Sequence, residues 1–400
     1  MQESTQEEAD WKVVEALLPG WWRALASQMG LIRQRPAHIG QKIYDIAIAL
    51  RLVLHYVAQR GSMRQTTAAA AAAGIVSISQ PALFKWMHKI GAYLEALVAG
   101  MVEPGVYASE KWGGYVLIAA DATTVERPGA KGTTARVHYA LHLSDLHPRF
   151  VRVTDEKVGE TARNFDAAPG ELWILDRGYS NPPSVLAIVE RGADIAVRFN
   201  RHTLSVYDAR GARIDVPKLL RRTRRRGRAQ HEEVRVRTTD GREARAQLCW
   251  VRLPKREAEK ARAKAARGGE KSAVELDVAE YVVVLCTAPT SRLSAEQVME
   301  LYRARWQVEL EFKRDKSIGQ LDTLPNLIPQ TIHAWICAKI LLGLIARRLS
   351  SQSVAIPPSG LATAILPVVE LPARPCRRAL VRDATGMEPH SQRASVPQVA

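Results

Sequence analysis

The sequence predicts a mixed α/β fold, and three observations carry that prediction. Residues from about 11 to 101 are patterned as helices, short β-like runs begin at Tyr115, and helical periodicity returns at Ser294. A second β-rich stretch, 200–290, lies between the last two.

In the first region, residues 43–57 set apolar side chains at helical spacing, and 68–73 is a run of strong helix formers. Gly74 interrupts it. Ser79 stands where an N-cap belongs, and Pro81 falls near the first turn of a helix predicted over 82–98. A helix, a glycine turn and a second helix bearing Lys85, Trp86, His88 and Lys89 are compatible with a DNA-reading helix pair. By itself the segment fits an ordinary helical hairpin better.

From Tyr115 the predicted strands are 115–120, 136–143 and 150–153, then 172–175, a helix over 182–191, and a strand over 194–199. Residues 200–290 form a β-rich unit with strands at 204–207, 233–237, 244–253 and 280–286, and Asp240-Gly241 marks a hairpin. Within it, 254–272 (PKREAEKARAKAARGGEKS) is a charged surface excursion. Ser294 caps a helix predicted to run to about Lys316. The apolar run 332–349 is broken by His333, Lys339, Arg347 and Arg348, so it reads as a buried helix and not as a membrane span. The expected organisation is a helical N-terminal DNA-binding domain (1–110) and a catalytic domain in two parts (111–199 and 291–350). The β-rich insertion (200–290) divides those parts, and a Pro-punctuated tail (351–400) follows.

Composition narrows the function classes. With 46% hydrophobic and 24% charged residues over 400 positions, the chain can bury a core and resembles a soluble globular protein. A formal net charge of +16 favours a polyanionic partner, of which nucleic acid is the commonest. Cys249, Cys286, Cys337 and Cys376 are far apart, which argues against a zinc site or disulfide framework and places the chain in a reducing cytoplasm. The acidic N-terminus has no uninterrupted apolar stretch, so no signal peptide is expected.

Two carboxylates occupy similar places: Asp121 follows YVLIAA and Asp176 follows LWIL. A buried strand ending in Asp delivers that carboxylate to the edge where open α/β sheets bind ligands. Two such anions brought together repel, and a divalent cation relieves the repulsion. Taken singly, each Asp is explained by starting a turn. A third element gives them a partner. If 294–316 is one helix turning about 100° per residue, Tyr302, Arg305, Glu309 and Lys316 share a stripe roughly 60° wide. Arg305 and Glu309 are also an ordinary i,i+4 ion pair, so without the aspartates a solvated helix accounts for them.

This order of Tyr302, Arg305, Glu309 and Lys316 resembles the Tyr-Arg-Glu-Lys signature of cut-and-paste insertion-sequence transposases, the insertion-sequence-four type within the DDE superfamily. DATTV (121–125) is similar to that family's first-aspartate motif and ILDRGY (174–179) to its second, and the resemblance spans about residues 40–345. It implies a ribonuclease-H-like catalytic domain interrupted by a β-rich insertion. The first Asp lies on the first strand, the second on the neighbouring fourth strand, and the Glu on a later helix. It further implies that Asp121, Asp176 and Glu309 hold two Mg²⁺ ions, with Mn²⁺ as a substitute, and that Arg305 and Lys316 grip phosphates. Tyr302 would contact a phosphate or a base, in support of a hairpin intermediate with a flipped base. The implied partners are double-stranded transposon ends and target DNA, with a homodimer on bound ends. The family's helical, oligomer-forming C-terminal region has no evident counterpart in 354–380.

The arginine run 221–228 (RRTRRRGR), including Arg221, Arg222, Arg224, Arg225 and Arg226, is expected to hold the DNA backbone without reading sequence. Arg198, Arg201, Arg210 and Arg213 lie near it in the chain. Trp306 and Trp250 are candidates for stacking, although core packing is the plainer role for each. The competing readings are a nuclease of the same fold without strand transfer, a catalytically inactive transposase-derived DNA-binding protein, and a regulator that uses only the N-terminal helices.

Overall fold

Among the described residues six helices open the chain: α1 (Gln2–Leu17), α2 (Trp22–Gln28), α3 (Ile46–Ala58), α4 (Met63–Ala72), α5 (Gln80–Lys89) and α6 (Gly91–Met101). The computed structural model describes residues 2–32, 43–59, 61–102, 108–129, 132–267, 272–317, 321, 324 and 328–353. The predicted tail from 354 onward lies outside the described residues. Asp45 caps α3 by accepting from Ala47 N at 2.9 Å, and Ser62 with Gln65 closes a capping box on α4. The single helix predicted over 82–98 is two helices, because the chain turns at Ile90 and α6 starts at Gly91. A Cβ on Gly91 would stand 3.2 Å from His333 Nδ1, so the missing side chain permits a close approach to the long C-terminal helix.

The sheet begins with β1 (Ala108–Ser109), β2 (Tyr115–Val125), β3 (Ala135–His142), β4 (Pro148–Asp155) and β5 (Glu171–Leu175). It continues through α7 (Pro182–Val189), β6 (Asp194–Arg198), β7 (Val206–Tyr207), α8 (Val216–Arg221), β8 (Ala229–Arg237) and β9 (Glu243–Arg252). The helices α9 (Lys255–Ala266) and α10 (Ala273–Val278) precede β10 (Tyr281–Cys286). Three helices close the described chain: α11 (Ala295–Arg303), α12 (Trp306–Ser317) and α13 (Pro329–Ser353).

Among the described residues the strands form one sheet in the order β4-β3-β2-β5-β6-β10-β9-β8-β7, with β1 beside β2. β2 is antiparallel to β3 and parallel to β5, and β5 is parallel to β6. The strands of the β-rich stretch continue the same sheet, because β10 pairs antiparallel with β6. Leu172, Trp173, Ile174 and Leu175 are fully buried, as expected of a parallel strand covered on both faces. Phe165 stacks on Trp173 at 5.0 Å and lies 5.7 Å from Tyr179, which anchors the layer beneath the second aspartate. The Asp240-Gly241 hairpin forms as expected, with Gly241 at φ 87° and its N–H donating to Thr238 O.

The charged stretch is largely the surface helix α9, and one of its arginines is used internally. Buried Glu280 accepts hydrogen bonds from Arg226 Nη2 (2.9 Å), Arg252 Nη2 (3.1 Å) and Arg262 Nη1 (3.0 Å), which ties the arginine run, β9 and α9 together. Burial pushes the Glu280 carboxyl up, but the three guanidiniums outweigh it and the net direction is downward. A depressed folded value gives stability that is present above the ordinary carboxylate range and lost as pH falls through the folded value. Glu280→Gln is expected to cost about 2 kcal/mol at pH 7, discounted because the arginines are partly exposed. Thermal melts check this, and the difference from wild type should shrink in acid.

Helix α13 packs its buried residues, Ile332, Trp335, Ile336 and Leu341 among them, against α3, α5 and α6. Arg348 donates to Leu17 O and Met101 O, joining it to the ends of α1 and α6. Among the described residues no helix is long and apolar enough to cross a membrane.

Candidate active site

The parallel register of β2 on β5 runs from Val116↔Glu171 to Ala120↔Leu175. The next residues are Asp121 and Asp176, on strands about 4.8 Å apart, so both aspartates stand where the parallel pairing stops. Asp121 does not end its strand as predicted. β2 runs on to Val125 against β3, with Asp121 opposite Tyr139, and only its β5 side opens at Asp121. Asp176 leaves β5 and leads into a 3₁₀ turn, Arg177–Tyr179. Asn181 then caps α7 by accepting from Ser184 N at 2.9 Å.

The single helix predicted from Ser294 to Lys316 is also two helices. At the joint, Ala304 N bonds Leu301 O, Gln307 N bonds Ala304 O and Val308 N bonds Arg305 O, all three residues back. The continuous wheel behind the predicted stripe therefore does not exist. Tyr302 lies on α11, Arg305 in the turn and Glu309 in the first turn of α12. The side chains converge nonetheless. Tyr302 donates to Asp176 Oδ1 at 3.3 Å, Arg305 pairs with Glu309, and its guanidinium lies 3.5 Å from Asp121 Oδ2 and 3.9 Å from Asp176 Oδ1. Arg305 thus spans carboxylates from three distant chain segments. Lys316 is within α12, but its side chain lies outside the described residues.

Burial pushes the Asp121 carboxyl up to about 6. The Ala122 N–H and Arg305 oppose the rise, and Asp176 and Glu160 add to it. Burial also raises Tyr302, with Asp176 reinforcing the shift, so that hydroxyl remains a donor. Arg305 Nη1 is buried without a hydrogen-bond partner among the described residues, although it stands within ion-pair distance of Asp121. These features fit a divalent cation by donor chemistry, since carboxylate oxygens suit Mg²⁺ or Mn²⁺. A guanidinium now meets the demand for positive charge at their centre. With Glu309 turned onto Arg305, no three His, Cys, Asp or Glu groups among the described residues surround one point closely enough to ligate a metal.

The other predicted residues divide. Arg226 is held by Glu280 and by Leu253 O at 2.7 Å, and Arg221 pairs with Asp277 at 3.1 Å. Arg222, Arg224 and Arg225 are exposed and make no ion pair among the described residues. Trp250 is a core residue whose Nε1 donates to Thr223 Oγ1. Trp306, expected in the core, is 44% exposed beside Arg305. A groove of about 280 Å³ that the sequence had not marked is lined by Arg177, Arg198, Arg201, His202, Phe199 and Tyr281. Arg198, Arg201 and His202 lie within five residues and Arg177 comes from the turn after β5, so the groove depends on tertiary pairing that joins two chain segments.

Comparison with known proteins defines the class. Residues 112–342, more than half of the chain, match the family model described as "Transposase DDE domain", and the chain belongs to that family. Membership makes it a transposase, an enzyme of DNA cleavage and joining. Its relatives are insertion-sequence proteins of Escherichia coli. InsL of insertion sequence element IS186A (strain K12) is 29% identical over 328 residues, covering 80% of this chain and 88% of the relative. The transposase for insertion sequence element IS421 is 29% identical over 329 residues with the same coverage. The cryo-EM structure of piggyBac transposase synaptic complex with hairpin DNA aligns at a TM-score of 0.42 and 9% identity, covering 88% of this chain and 76% of that one.

Proposed function

We propose that this transposase cuts the ends of an insertion sequence and joins them to target DNA at a centre formed by Asp121, Asp176 and Glu309. The observation that carries the proposal is Arg305, which draws carboxylates from β2, from the end of β5 and from α12 towards one point. The strand order β4-β3-β2-β5-β6, three antiparallel strands followed by two parallel ones, supports a ribonuclease-H-like catalytic domain with 200–290 as its insertion. The helices of 1–110 would form a DNA-binding domain, and two copies of the chain would pair on bound ends.

The three carboxylates would hold two Mg²⁺ or Mn²⁺ ions, which supply Lewis-acid activation of a water or 3′-hydroxyl and stabilise a leaving oxygen. Arg305 would exchange its carboxylate partners for a DNA phosphate, a charge-assisted contact of comparable geometry. Tyr302 holds Asp176 from the protein side and leaves its other oxygen free. Lys316 would contact a phosphate nearby, and exposed Trp306 offers a stacking face for a displaced base.

A precut transposon end, a target plasmid and Mg²⁺ test the proposal. Joined product is expected, whereas cleavage without joining would identify a nuclease, and neither reaction would identify an inactive DNA-binding protein. Arg222, Arg224 and Arg225 would contact the phosphate backbone. Replacing all three with Ala is expected to lower the slope of log affinity against log salt by about 2–3, since each phosphate contact contributes about 0.9. Fluorescence anisotropy across a salt series measures it, and an unchanged slope would remove these arginines from the interface.

A further inference from the structure

A fourth carboxylate, Glu160, lies at the same site on the loop between β4 and β5. Its oxygen Oε2 occupies space that a side chain at Gly178 would need, since an ideal Cβ there would fall 2.7 Å from it. Gly178 is two residues beyond Asp176. The loop is fastened on both sides of Glu160. Asn164 Nδ2 donates to Gly159 O at 3.1 Å, and Ala162 N donates to Ser184 Oγ at 3.2 Å. Arg136 also donates to Val158 O. Glu160 itself is exposed, and these bonds hold the backbone on either side of it in place.

A second observation points into the same space. Tyr179 is completely buried, yet its hydroxyl has no hydrogen-bond partner among the described residues. Leaving such a donor unmet is costly, so an unpaired buried hydroxyl marks a place built for something further. Burial raises the Tyr179 hydroxyl, and the charges of Asp121, Glu160 and Asp176 act on it in the same direction. Arg136 opposes the rise without reversing it, so the hydroxyl stays protonated and keeps a hydrogen to donate.

We propose that Glu160 is a positioning residue of the phosphoryl-transfer centre, orienting water around a bound divalent cation beside Asp121, with the Tyr179 hydroxyl donating into the same hydration layer. This rests on the reading of Asp121, Asp176 and Glu309 as the metal-holding carboxylates. Outer carboxylates of this kind tune a metal site by fixing the ligands and waters around it. Gly178 is required because any side chain there would push the Glu160 carboxylate away.

The test is Mn²⁺ binding to the full-length protein with a transposon end bound, followed by electron paramagnetic resonance, together with the Mg²⁺ concentration giving half-maximal cleavage. Glu160→Gln is expected to weaken Mn²⁺ binding by about tenfold or more and to raise the Mg²⁺ requirement similarly. Its melting temperature and metal-free DNA binding should stay unchanged. Gly178→Ala should shift both metal readouts in the same direction with every charge retained, because the displaced atom is the end of a flexible side chain. Asp121→Asn is the control. If Glu160→Gln and Gly178→Ala bind Mn²⁺ as wild type does while Asp121→Asn does not, the role of Glu160 is overturned and the three-carboxylate site stands. Undiminished binding by Asp121→Asn as well overturns both.

Discussion

Glu309→Gln, Asp121→Asn and Asp176→Asn are each expected to reduce metal-dependent cleavage by at least about 10³-fold, with binding to transposon ends unchanged or slightly tighter. The size follows from the role. Metal-assisted charge stabilisation is worth several kcal/mol, and each 1.4 kcal/mol is about a tenfold change in rate. The binding result follows from charge, since removing an anion from a surface that faces phosphate lowers repulsion. Under the proposed function the carboxylates act as a unit, and double variants should be little worse than single ones. Single-turnover cleavage of a labelled end, beside a gel-shift titration without metal, measures both quantities. Near-wild-type cleavage by Glu309→Gln would remove α12 from the chemistry and leave Arg305–Glu309 as an ordinary helix pair.

Asp121→Asn is also expected to raise the stability of the metal-free protein at neutral pH, an effect opposite in sign to most substitutions at buried positions. Asp121 is lifted from an ordinary value of 3.8 to about 6. A raised folded value gives stability that is complete below the unfolded value and lost as pH rises through the folded one. Above about pH 6 the ionised carboxylate therefore costs the fold up to roughly 3 kcal/mol. With 20% of the side chain exposed, solvent screening removes only part of that cost. Asparagine keeps an oxygen for the Ala122 N–H and lacks the charge. The variant should melt higher than wild type at pH 7.5, and the two curves should converge below about pH 4. Saturating Mg²⁺ should close the gap at pH 7.5, since a ligand that binds the folded state stabilises it by mass action. Melts at three pH values with and without Mg²⁺ check the sign. A variant less stable than wild type at pH 7.5 without metal would show that Asp121 is not strained there.

Glu280 and Asp121 show the same physics with opposite outcomes. Both are acidic side chains taken largely out of water. Glu280 receives three guanidinium hydrogen bonds and is depressed, whereas Asp121 has one backbone donor, a more distant arginine and two neighbouring anions. The first arrangement stabilises the fold, and the second costs stability at a site that holds charge ready for a ligand.

What the sequence determined by itself was set by local pattern and by the order of motifs. Apolar runs ending at Asp121 and Asp176 made strands because such runs must be buried, and a sheet pairs their backbones while burying them. Ser294 with Gln297 made a helix start because the capping box is closed within four residues. Tyr302, Arg305 and Glu309 were legible as a group because they lie within eight consecutive residues.

Tertiary structure alone decided how those pieces meet. The break after Arg303 removed the helical stripe that had grouped Tyr302, Arg305 and Glu309. Their convergence instead depends on packing against the ends of β2 and β5. Arg226 was drawn from a presumed DNA contact into the Glu280 network, and Trp306 was left exposed, because neither outcome is encoded within a few residues of either position. Glu160 and Tyr179 come within electrostatic range of Asp121 only through a parallel strand pair and an anchored loop. Their one trace in the sequence was Gly178, whose purpose appears only when the carboxylate occupying its missing side chain is in view. Long-range pairing places charges from separated segments within a few ångströms of one another, and electrostatic energy at that range depends on distances the linear order does not contain.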